Sequence, residues 1–213
     1  MSILKKLLST FCYCIGSMLH YILPYSFIQR LSTIINKIHS HYLKKEFKQI
    51  GNESYIQMPI YLKGAKYISI GDHFYSYPRF RFEAWDTYNN EKFSPEIIIG
   101  DNVSINSDCH IACTNKIVIG NNVLIAGKVF ITDHYHGKID YSIIETPPVK
   151  RNLYSPGEIH IEDNVWIGEN VSIMPNITIG RNSIIGANTV VTKSFPANSV
   201  IVGVPGRLLK TIS

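Results

Sequence analysis

The chain has 213 residues, of which 45% are apolar and 17% are charged, so it can bury a core and wholesale disorder is excluded. The net charge of +5 is uneven, because residues 1–50 hold seven Lys/Arg and one Glu, whereas the remainder holds fourteen Lys/Arg and fifteen Asp/Glu. The nearly neutral remainder argues against a nucleic-acid-binding body, which would need a basic face, while the basic N-terminal segment suits an anionic surface.

The first fifty residues predict an N-terminal arm of two helices. The first helix is expected from about Ile3 to Leu23, before Pro24. The second is expected from an N-cap at Ser26 to about Gln49. We therefore divide the chain into an arm, residues 1–50, and a second domain, residues 51–213.

The second predicted helix is amphipathic. Its apolar side chains recur at helical spacing, and basic side chains occupy the remainder: Phe27, Leu31, Ile34, Ile35 and Ile38, with Arg30, Lys37, Lys44, Lys45 and Lys48. Such a helix can lie in a membrane interface; the alternative is that the stripe packs on the rest of the protein or on a second subunit. A membrane span or signal peptide fits poorly, because Gly16, His20 and Pro24 interrupt the uncharged residues 7–29.

The cysteines favour a reducing cytoplasm. Cys12, Cys14, Cys109 and Cys113 have neither CxxC spacing nor the paired Cys/His cluster that builds a zinc site. We therefore expect a cytoplasmic protein without a metal site.

From about residue 97, aliphatic residues recur every six positions. They are Ile99, Ile105, Ile111, Ile119, Ile125, Ile131, Ile161, Ile167, Ile173, Ile179, Ile185 and Val191. A period of six matches neither a helix nor a simple hairpin, but three such units make a coil of about eighteen residues with three flat faces. Each aliphatic side chain is then expected to point inward and to stack on its equivalent one coil away.

Turn-forming triplets follow these aliphatic residues in register. They are Gly100-Asp101-Asn102, Gly120-Asn121-Asn122, Glu162-Asp163-Asn164, Gly168-Glu169-Asn170, Gly180-Arg181-Asn182 and Gly186-Ala187-Asn188. Gly and Asn tolerate left-handed backbone at a tight corner, which gives the pattern a mechanism. A degenerate coil is expected from Ile56 to Gly71, followed by an irregular stretch from Tyr75 to Pro95, and residues 132–158 form a loop between coils.

Six segments between about residues 55 and 210 carry a more specific signal than any single repeat. They are RFEAWD (81–86), IIIGDNVSINSDCHI (97–111), FITDHYHG (130–137), IEDNVWIGENVSIMPNITIG (161–180), IGANTVVTK (185–193) and VGVPGRLLK (202–210). In these segments the chain resembles the hexapeptide-repeat acyltransferases. Within that family it is most similar to the galactoside, maltose and xenobiotic branch and to bacterial O-acetyltransferases of capsule or lipopolysaccharide sugars.

The resemblance implies an all-β domain that is a left-handed parallel β-helix, placed after the helical arm. It also implies a homotrimer that uses acetyl-CoA to acetylate a sugar hydroxyl of a cell-surface polysaccharide or its precursor. A basic arm would then make the protein peripheral on the inner face of the bacterial membrane.

The loop at residues 132–158 is the longest break in the repeat and therefore the place where chemistry can be built. Acetyl transfer to an alcohol requires removal of a hydroxyl proton, for which imidazole is well suited, and a carboxylate such as Asp133 or Glu158 could orient the ring. In similar enzymes a His of this loop is the general base. The D-H-x-H element favours His134, whereas an ungapped match to the galactoside branch places His136 at that position.

Other candidate residues follow from the same resemblance. Trp166 matches a Trp that lies beside the base in similar sialic-acid-modifying enzymes, and its indole N–H could stabilise an oxyanion; packing at a subunit interface is the alternative. Coenzyme A is expected to contact the backbone near Glu169, Ala187 and Thr192 and the cations Lys193, Arg207 and Lys210. Glu169 stands where galactoside-type relatives have Ser, so a backbone contact is expected there.

The acceptor is expected to involve three further residues. Asn106 matches an acceptor-binding position of the galactoside branch. Arg81 and Trp85 belong to an aromatic and basic cluster suited to stacking on a sugar, or alternatively to capping the first coils.

Two other functions compete with the acetyltransferase. A zinc enzyme like the β-helical carbonic anhydrases could draw on His110, His134 and His136, but the H-x-H spacing departs from that family. A noncatalytic scaffold or membrane-recruitment protein is favoured by the arm alone.

Overall fold

The computed structural model describes residues 3–138, 140–141 and 144–212. It contains two compact units, one ending at Ile38 and one beginning at His39. The arm forms α1 (Ile3–Ile22) and α2 (Tyr25–Leu43), which are bent by 69° at the intervening break. Among the described residues no single helix is long and apolar enough to cross a membrane, although the bent pair taken together passes the same test of length and composition.

The prediction that the second helix reaches Gln49 was wrong, because α2 ends at Leu43. Leu43 and Phe47 are buried in the core of the β-helix, and the backbone N–H of Lys48 donates to Ala65 O at 3.2 Å. Because these two apolar side chains are buried in the core, the helix ends at Leu43 and the chain continues into the first β-strand. The division between the units consequently falls nearer the N-terminus than residue 50.

Between residues 49 and 202 the described strands form a parallel β-helix in which each complete coil contributes one strand to each of three faces, and a final strand pairs antiparallel with the one before it. The first three coils contain β1 (Gln49–Ile50), β2 (Tyr55–Ile56), β3 (Ile60–Lys63); β4 (Ile68–Ile70), β5 (Tyr75–Ser76), β6 (Phe80–Ala84), with the hairpin β7 (Thr87–Tyr88) and β8 (Glu91–Lys92); and β9 (Glu96–Ile99), β10 (Ser104–Ile105), β11 (His110–Cys113). The remaining strands are β12 (Lys116–Ile119), β13 (Leu124–Ile125), β14 (Phe130–Thr132), the loop strands β15 (Tyr135–His136) and β16 (Leu153–Tyr154), then β17 (Ile159–Ile161), β18 (Trp166–Ile167), β19 (Ser172–Ile173), β20 (Ile177–Ile179), β21 (Ile184–Ile185), β22 (Val190–Val191), β23 (Ser199–Val202) and β24 (Arg207–Thr211).

The predicted inward stack of aliphatic side chains is confirmed. Ile161, Ile167 and Ile173 lie directly beside Ile179, Ile185 and Val191 of the next coil. All twelve residues of the predicted period are at most 2% exposed. The core is therefore a column of branched aliphatic side chains enclosed by the three faces.

In the predicted triplets, the left-handed backbone is confirmed for the asparagines but not for the glycines. The third residue of each predicted triplet has a positive φ: Asn102, Asn122, Asn164, Asn170, Asn182 and Asn188. The triplet glycines do not adopt this conformation. At Gly100, a Cβ would lie 2.6 Å from Asn121 Oδ1 and 2.8 Å from the carbonyl carbon of Gly120, so this glycine is required by the close approach of the next coil.

The asparagines also form a ladder along one edge of the β-helix. Asn122 Nδ2 donates to Asn164 Oδ1 at 3.2 Å, Asn164 Nδ2 to Asn182 Oδ1 at 3.2 Å, and Asn182 Nδ2 to Asn198 Oδ1 at 2.9 Å. On this edge, side-chain hydrogen bonds therefore link the successive corners from Asn122 to Asn198.

The prediction of an irregular stretch from Tyr75 to Pro95 was wrong for its first half. Residues 75–84 supply the regular strands β5 and β6, because Phe80 and Phe82 alternate inward and are fully buried. The true insertion is shorter and contains the β7–β8 hairpin. Both this insertion and the predicted loop leave the coil after a strand of the third face, so they emerge at the same edge of the β-helix.

Candidate active site

A cleft of about 270 Å³ lies over the third face, where both insertions leave the coils. Its lining comes from the outward positions of β6, β11 and β14 and from the two insertions: Arg81, Glu83, Trp85, Tyr88, His110, Ala112, Phe130, Thr132, His134, His136 and Leu153. The hairpin holds the loop in place, since Tyr88 Oη donates to Val149 O at 3.2 Å and Asn89 Nδ2 to Lys150 O at 3.4 Å. The repeat thus provides the floor of the cleft, and the insertions provide its walls.

Asp133 and His134 form a buried carboxylate–imidazole pair at this cleft. His134 Nδ1 lies 2.9 Å from Asp133 Oδ1, and the side chain of His134 is 10% exposed, whereas that of Asp133 is fully buried. Because His134 Nδ1–H donates a hydrogen bond to the Asp133 carboxylate, the lone pair of the neutral ring lies on Nε2. This tautomer makes Nε2 the nitrogen that can accept a proton.

Asp133 is held by the backbone of the preceding coil. It accepts from the N–H of Thr114 at 2.9 Å and from the N–H of Asn115 at 2.8 Å, and Cys113 Sγ donates to it at 3.2 Å. Burial raises the pKa of this carboxyl group, but the hydrogen bonds from His134 and from the two backbone amides outweigh burial and lower the pKa below its usual value. Asp133 is therefore ionised and can stabilise a protonated His134.

His136 has a different environment. It lies on β15 opposite Leu153, is exposed, and packs edge-to-face against Tyr88 with 5.6 Å between ring centroids. Glu158, the other carboxylate considered from the sequence, pairs with His160 at 2.8 Å rather than with a His of the loop. Both loop histidines line the cleft, but His134 is the one with a buried carboxylate partner among the described residues.

A second buried carboxylate, Glu83, was missed by the sequence analysis. Its side chain accepts from Arg81 at 2.9 Å, from Trp85 Nε1 at 3.1 Å, and lies 3.2 Å from His110 Nε2. Burial raises the pKa of Glu83, but these three partners lower it to about 2. The alternation of RFEA on a strand could have revealed Glu83, because it places Glu83 outward beside Arg81 and opposite the buried Phe82.

Arg81 and Trp85, predicted to bind substrate, both line the cleft. Trp85 is further fixed by Lys63, whose Nζ lies 3.1 Å from the ring centroid. Trp166 and Asn106 instead lie on the second face. Trp166 is 51% exposed and stands beside Leu124, while Asn106 Nδ2 donates to Ile125 O at 3.2 Å. Within one chain, neither of these two residues is among the described residues that line the cleft with His134.

The residues predicted to contact coenzyme A lie along the later coils. Glu169 and Ala187 line a second depression of about 530 Å³ together with Lys128, whose Nζ is 3.3 Å from Glu169 Oε1. Thr192 and Lys193 are exposed directly after β22, and Arg207 and Lys210 are exposed on β24. The depression and the cations are thus all carried by the C-terminal half of the chain.

The zinc hypothesis finds no cluster in the described part of the chain. No group of three or more His, Cys, Asp or Glu side chains there could hold a metal ion. His110 and His134 each have a separate carboxylate partner instead.

Comparison with known proteins identifies the family. A family model described as bacterial transferase hexapeptide (six repeats) matches residues 158–193. An Escherichia coli K12 protein, named as the lipopolysaccharide biosynthesis O-acetyl transferase WbbJ, is 38% identical over 159 residues, which cover 73% of this chain and 77% of that protein. The chain belongs to the hexapeptide-repeat acetyltransferases.

Two other members of this family support the same assignment. The galactoside O-acetyltransferase of Escherichia coli K12 is 31% identical over a region that covers 80% of this chain and 67% of the length of that enzyme. The structure of the hexapeptide-repeat acetyltransferase VCA0836 from Vibrio cholerae, complexed with acetyl coenzyme A, is 25% identical with a TM-score of 0.59 and covers 89% of this chain and 91% of its own. The protein is therefore an acyltransferase with the left-handed parallel β-helix of this family, and the noncatalytic scaffold is disfavoured.

The lowered pKa of Asp133 predicts a pH-dependent contribution to stability. The ionised carboxylate stabilises the folded protein above the pKa of an unfolded Asp, about 3.9, and this contribution is lost as the pH falls through the folded pKa. We expect Asp133→Asn to reduce the free energy of unfolding at pH 7 by ~2–3 kcal/mol, because the new amide faces backbone donors. We also expect the gap from the wild type to narrow below about pH 5. Urea unfolding of both proteins, measured from pH 7 down to below pH 5, checks both effects. A difference in the free energy of unfolding that does not change with pH would contradict the prediction.

Proposed function

We propose that this acyltransferase moves the acetyl group of acetyl-CoA to a sugar hydroxyl of a cell-surface polysaccharide or its precursor, with His134 as the general base. The observation that carries the proposal is the buried Asp133–His134 pair, whose Nε2 is the proton-accepting nitrogen at a cleft. WbbJ, to which this chain is similar, is named for lipopolysaccharide biosynthesis, and the galactoside enzyme is named for a sugar acceptor.

The reaction follows from that pair. His134 Nε2 removes the proton of a sugar hydroxyl while the oxygen attacks the thioester carbon, and Asp133 stabilises the imidazolium that forms. The tetrahedral intermediate collapses with cleavage of the C–S bond, and the coenzyme A thiolate takes the proton from His134. The products are the O-acetyl ester and coenzyme A, and no covalent enzyme intermediate is required.

Acetyl-CoA fits the residues present in the later coils. Glu169 and Ala187 are exposed and line one depression, and three exposed cations are available for the three phosphate groups of the coenzyme: Lys193, Arg207 and Lys210. The VCA0836 structure, complexed with acetyl coenzyme A, supports this choice of donor. We therefore assign Glu169, Ala187, Thr192 and the three cations to donor binding.

We expect His134→Ala to abolish acetyl transfer and His136→Ala to reduce it only modestly. Loss of the base should lower acceptor-dependent thiol release from acetyl-CoA by about a hundredfold or more. The measurement is thiol release across a panel of sugars and lipid-linked glycans, with the wild type and both variants side by side. Calorimetric binding of acetyl-CoA is the control and should be unchanged. A loss confined to His136→Ala would reverse the assignment of the base.

The functional unit is proposed to be a homotrimer with sites between neighbouring β-helices. Trp166 and Leu124 form an exposed apolar pair on the second face, at 51% and 45% exposure, that association would bury. Since Trp166 does not line the cleft of its own chain, its indole can stabilise an oxyanion only if a neighbouring chain supplies it. Asn106, on the same face, would reach the acceptor in the same way.

Subunit mixing tests this arrangement. His134→Ala and Trp166→Ala homo-oligomers should both be nearly inactive. In a mixed trimer, one of the three sites takes an intact His134 and an intact Trp166 from neighbouring chains, so random reassociation of equal amounts should restore about a quarter of all sites. The measurement is thiol release after dissociation and reassociation of equal amounts of the two proteins. Each variant treated alone is the control. An active monomeric fraction, or mixtures no more active than their components, would contradict the proposal.

The arm is proposed to bind the inner face of the bacterial membrane, which would concentrate this cytoplasmic enzyme near a lipid-linked acceptor. No residue of α1 is buried, and Leu4, Leu7, Leu8 and Phe11, which share one face by helical spacing, are 62–76% exposed. The surrounding cations in residues 1–50, seven against one Glu, complement an anionic surface.

Vesicle binding of full-length variants tests the arm. Phe11→Asp should strongly reduce sedimentation with phosphatidylglycerol vesicles, because it places a charge in the apolar face. Ser9→Asp, on the opposite side of α1, adds the same charge and should retain most of the binding. Equal binding by the two variants, or equal binding of the wild type to phosphatidylcholine alone, would contradict the proposal. Variants within α1 are preferable to deletion of residues 1–48, since Leu43 and Phe47 belong to the β-helix core.

A further inference from the structure

Glu83 is a buried charge in the cleft that the proposed reaction does not use. Its side chain is 3% exposed, and its three partners, Arg81, Trp85 and His110, all line the same cleft. A buried ionised group is costly unless hydrogen bonds compensate for its lost hydration. This arrangement therefore places a carboxylate where it orders the surface of the cleft.

The Glu83 carboxylate determines the orientation and the hydrogen-bonding role of each partner. Being ionised, Glu83 only accepts hydrogen bonds, so His110 must direct an N–H from Nε2 toward it and, in the neutral ring, retains an acceptor at Nδ1. The guanidinium of Arg81 donates to Glu83 Oε1, and the indole of Trp85 donates to Glu83 Oε2. One side chain thus fixes a cation, an aromatic ring and an imidazole relative to one another.

The size and charge of the cleft restrict what these groups can bind. A volume of about 270 Å³ accommodates one monosaccharide ring, so one ring of a larger acceptor can occupy the cleft. Trp85 and Tyr88, with ring centroids 5.9 Å apart, supply the aromatic surface on which the C–H face of a pyranose can pack. Two ionised carboxylates, Glu83 in the lining and Asp133 behind His134, face one lining cation, Arg81, which is already paired with Glu83, so the charge of the cleft disfavours an acidic sugar.

We propose that Glu83 is a positioning residue that fixes Arg81, Trp85 and His110 as an acceptor subsite for a single uncharged pyranose. This subsite rests on the proposed sugar acetylation, since His134 lines the same cleft and would meet a hydroxyl of the bound ring. Glu83 itself does not touch the reacting atoms. Its effect is on acceptor affinity and on the choice between neutral and acidic sugars.

Binding can be measured without turnover, because the chain contains only two Trp residues. In a Trp166→Phe protein, Trp85 is the sole source of indole fluorescence, and titration with methyl β-D-galactopyranoside should change its emission to saturation. The corresponding uronic acid, methyl β-D-galactopyranosiduronic acid, should bind at least about tenfold more weakly. No saturable change with the neutral sugar, or tighter binding of the acid, would overturn the proposal.

In this background, Glu83→Gln should raise the Kd for the neutral sugar about tenfold or more while the calorimetric Kd for acetyl-CoA stays within about twofold. The matched control is Asp108→Asn, which breaks another Arg–carboxylate pair, to Arg79 at 2.6 Å, outside the lining of the cleft. It should leave both affinities unchanged. An unaltered sugar Kd in Glu83→Gln, or an equal loss of acetyl-CoA affinity, would overturn the role of Glu83.

If Glu83→Gln does not fold, His110→Gln gives the same test, because it removes one partner and leaves the carboxylate with Arg81 and Trp85. It should weaken sugar binding several-fold, and unchanged sugar affinity would overturn the subsite. These outcomes are separate from failure of the proposed reaction, which would appear as no acceptor-dependent thiol release in the wild type, and from failure of the base assignment, which would appear as thiol release retained in His134→Ala. If sugar binding depends on Glu83 but the protein shows no acetyl transfer, the proposed subsite is supported and the proposed reaction is contradicted.

Discussion

The β-helix depends on the stacking of one inward aliphatic side chain per face on its equivalent in the next coil. This stacking holds only if each corner turns within a few residues, and residues with positive φ provide that turn, mostly asparagines but also His73, Asp108 and Lys128. At Gly100 the neighbouring coil leaves no space for a Cβ, so the coils are as close as the backbone allows. Faces built in this way are repetitive, and distinct chemistry must come from outward side chains and from insertions.

The two insertions act together because both leave the same edge of the β-helix. The hairpin at Tyr88 and Asn89 hydrogen-bonds to the backbone of the loop, which turns an open face into a cleft. Water is partly excluded there, so charges such as Asp133 and Glu83 interact with their partners more strongly than they would at an exposed surface. In the proposed reaction, this enclosure strengthens the interaction of Asp133 with a protonated His134.

The sequence predicted the fold well because the period of six directly reports which side chains are buried. It predicted less where packing overrides local pattern: α2 ends at Leu43 rather than near Gln49, since Leu43 and Phe47 enter the core. Glu83 was missed because its strand was assigned to an irregular stretch. The difference between His134 and His136 could not be read from spacing, since the amides that hold Asp133 come from residues nearly twenty positions earlier.

Under the proposed roles, Asp133 serves the transfer step and Glu83 serves acceptor binding. Asp133 is held by backbone amides of Thr114 and Asn115, which belong to the scaffold and do not depend on side-chain identity. Glu83 is held by side chains that themselves line the cleft. Under these roles, a substitution around Glu83 would change the residues that contact the acceptor, whereas the backbone amides that hold Asp133 would still orient His134. On this basis, acceptor preference can vary among proteins that share this base geometry without a change in the transfer step.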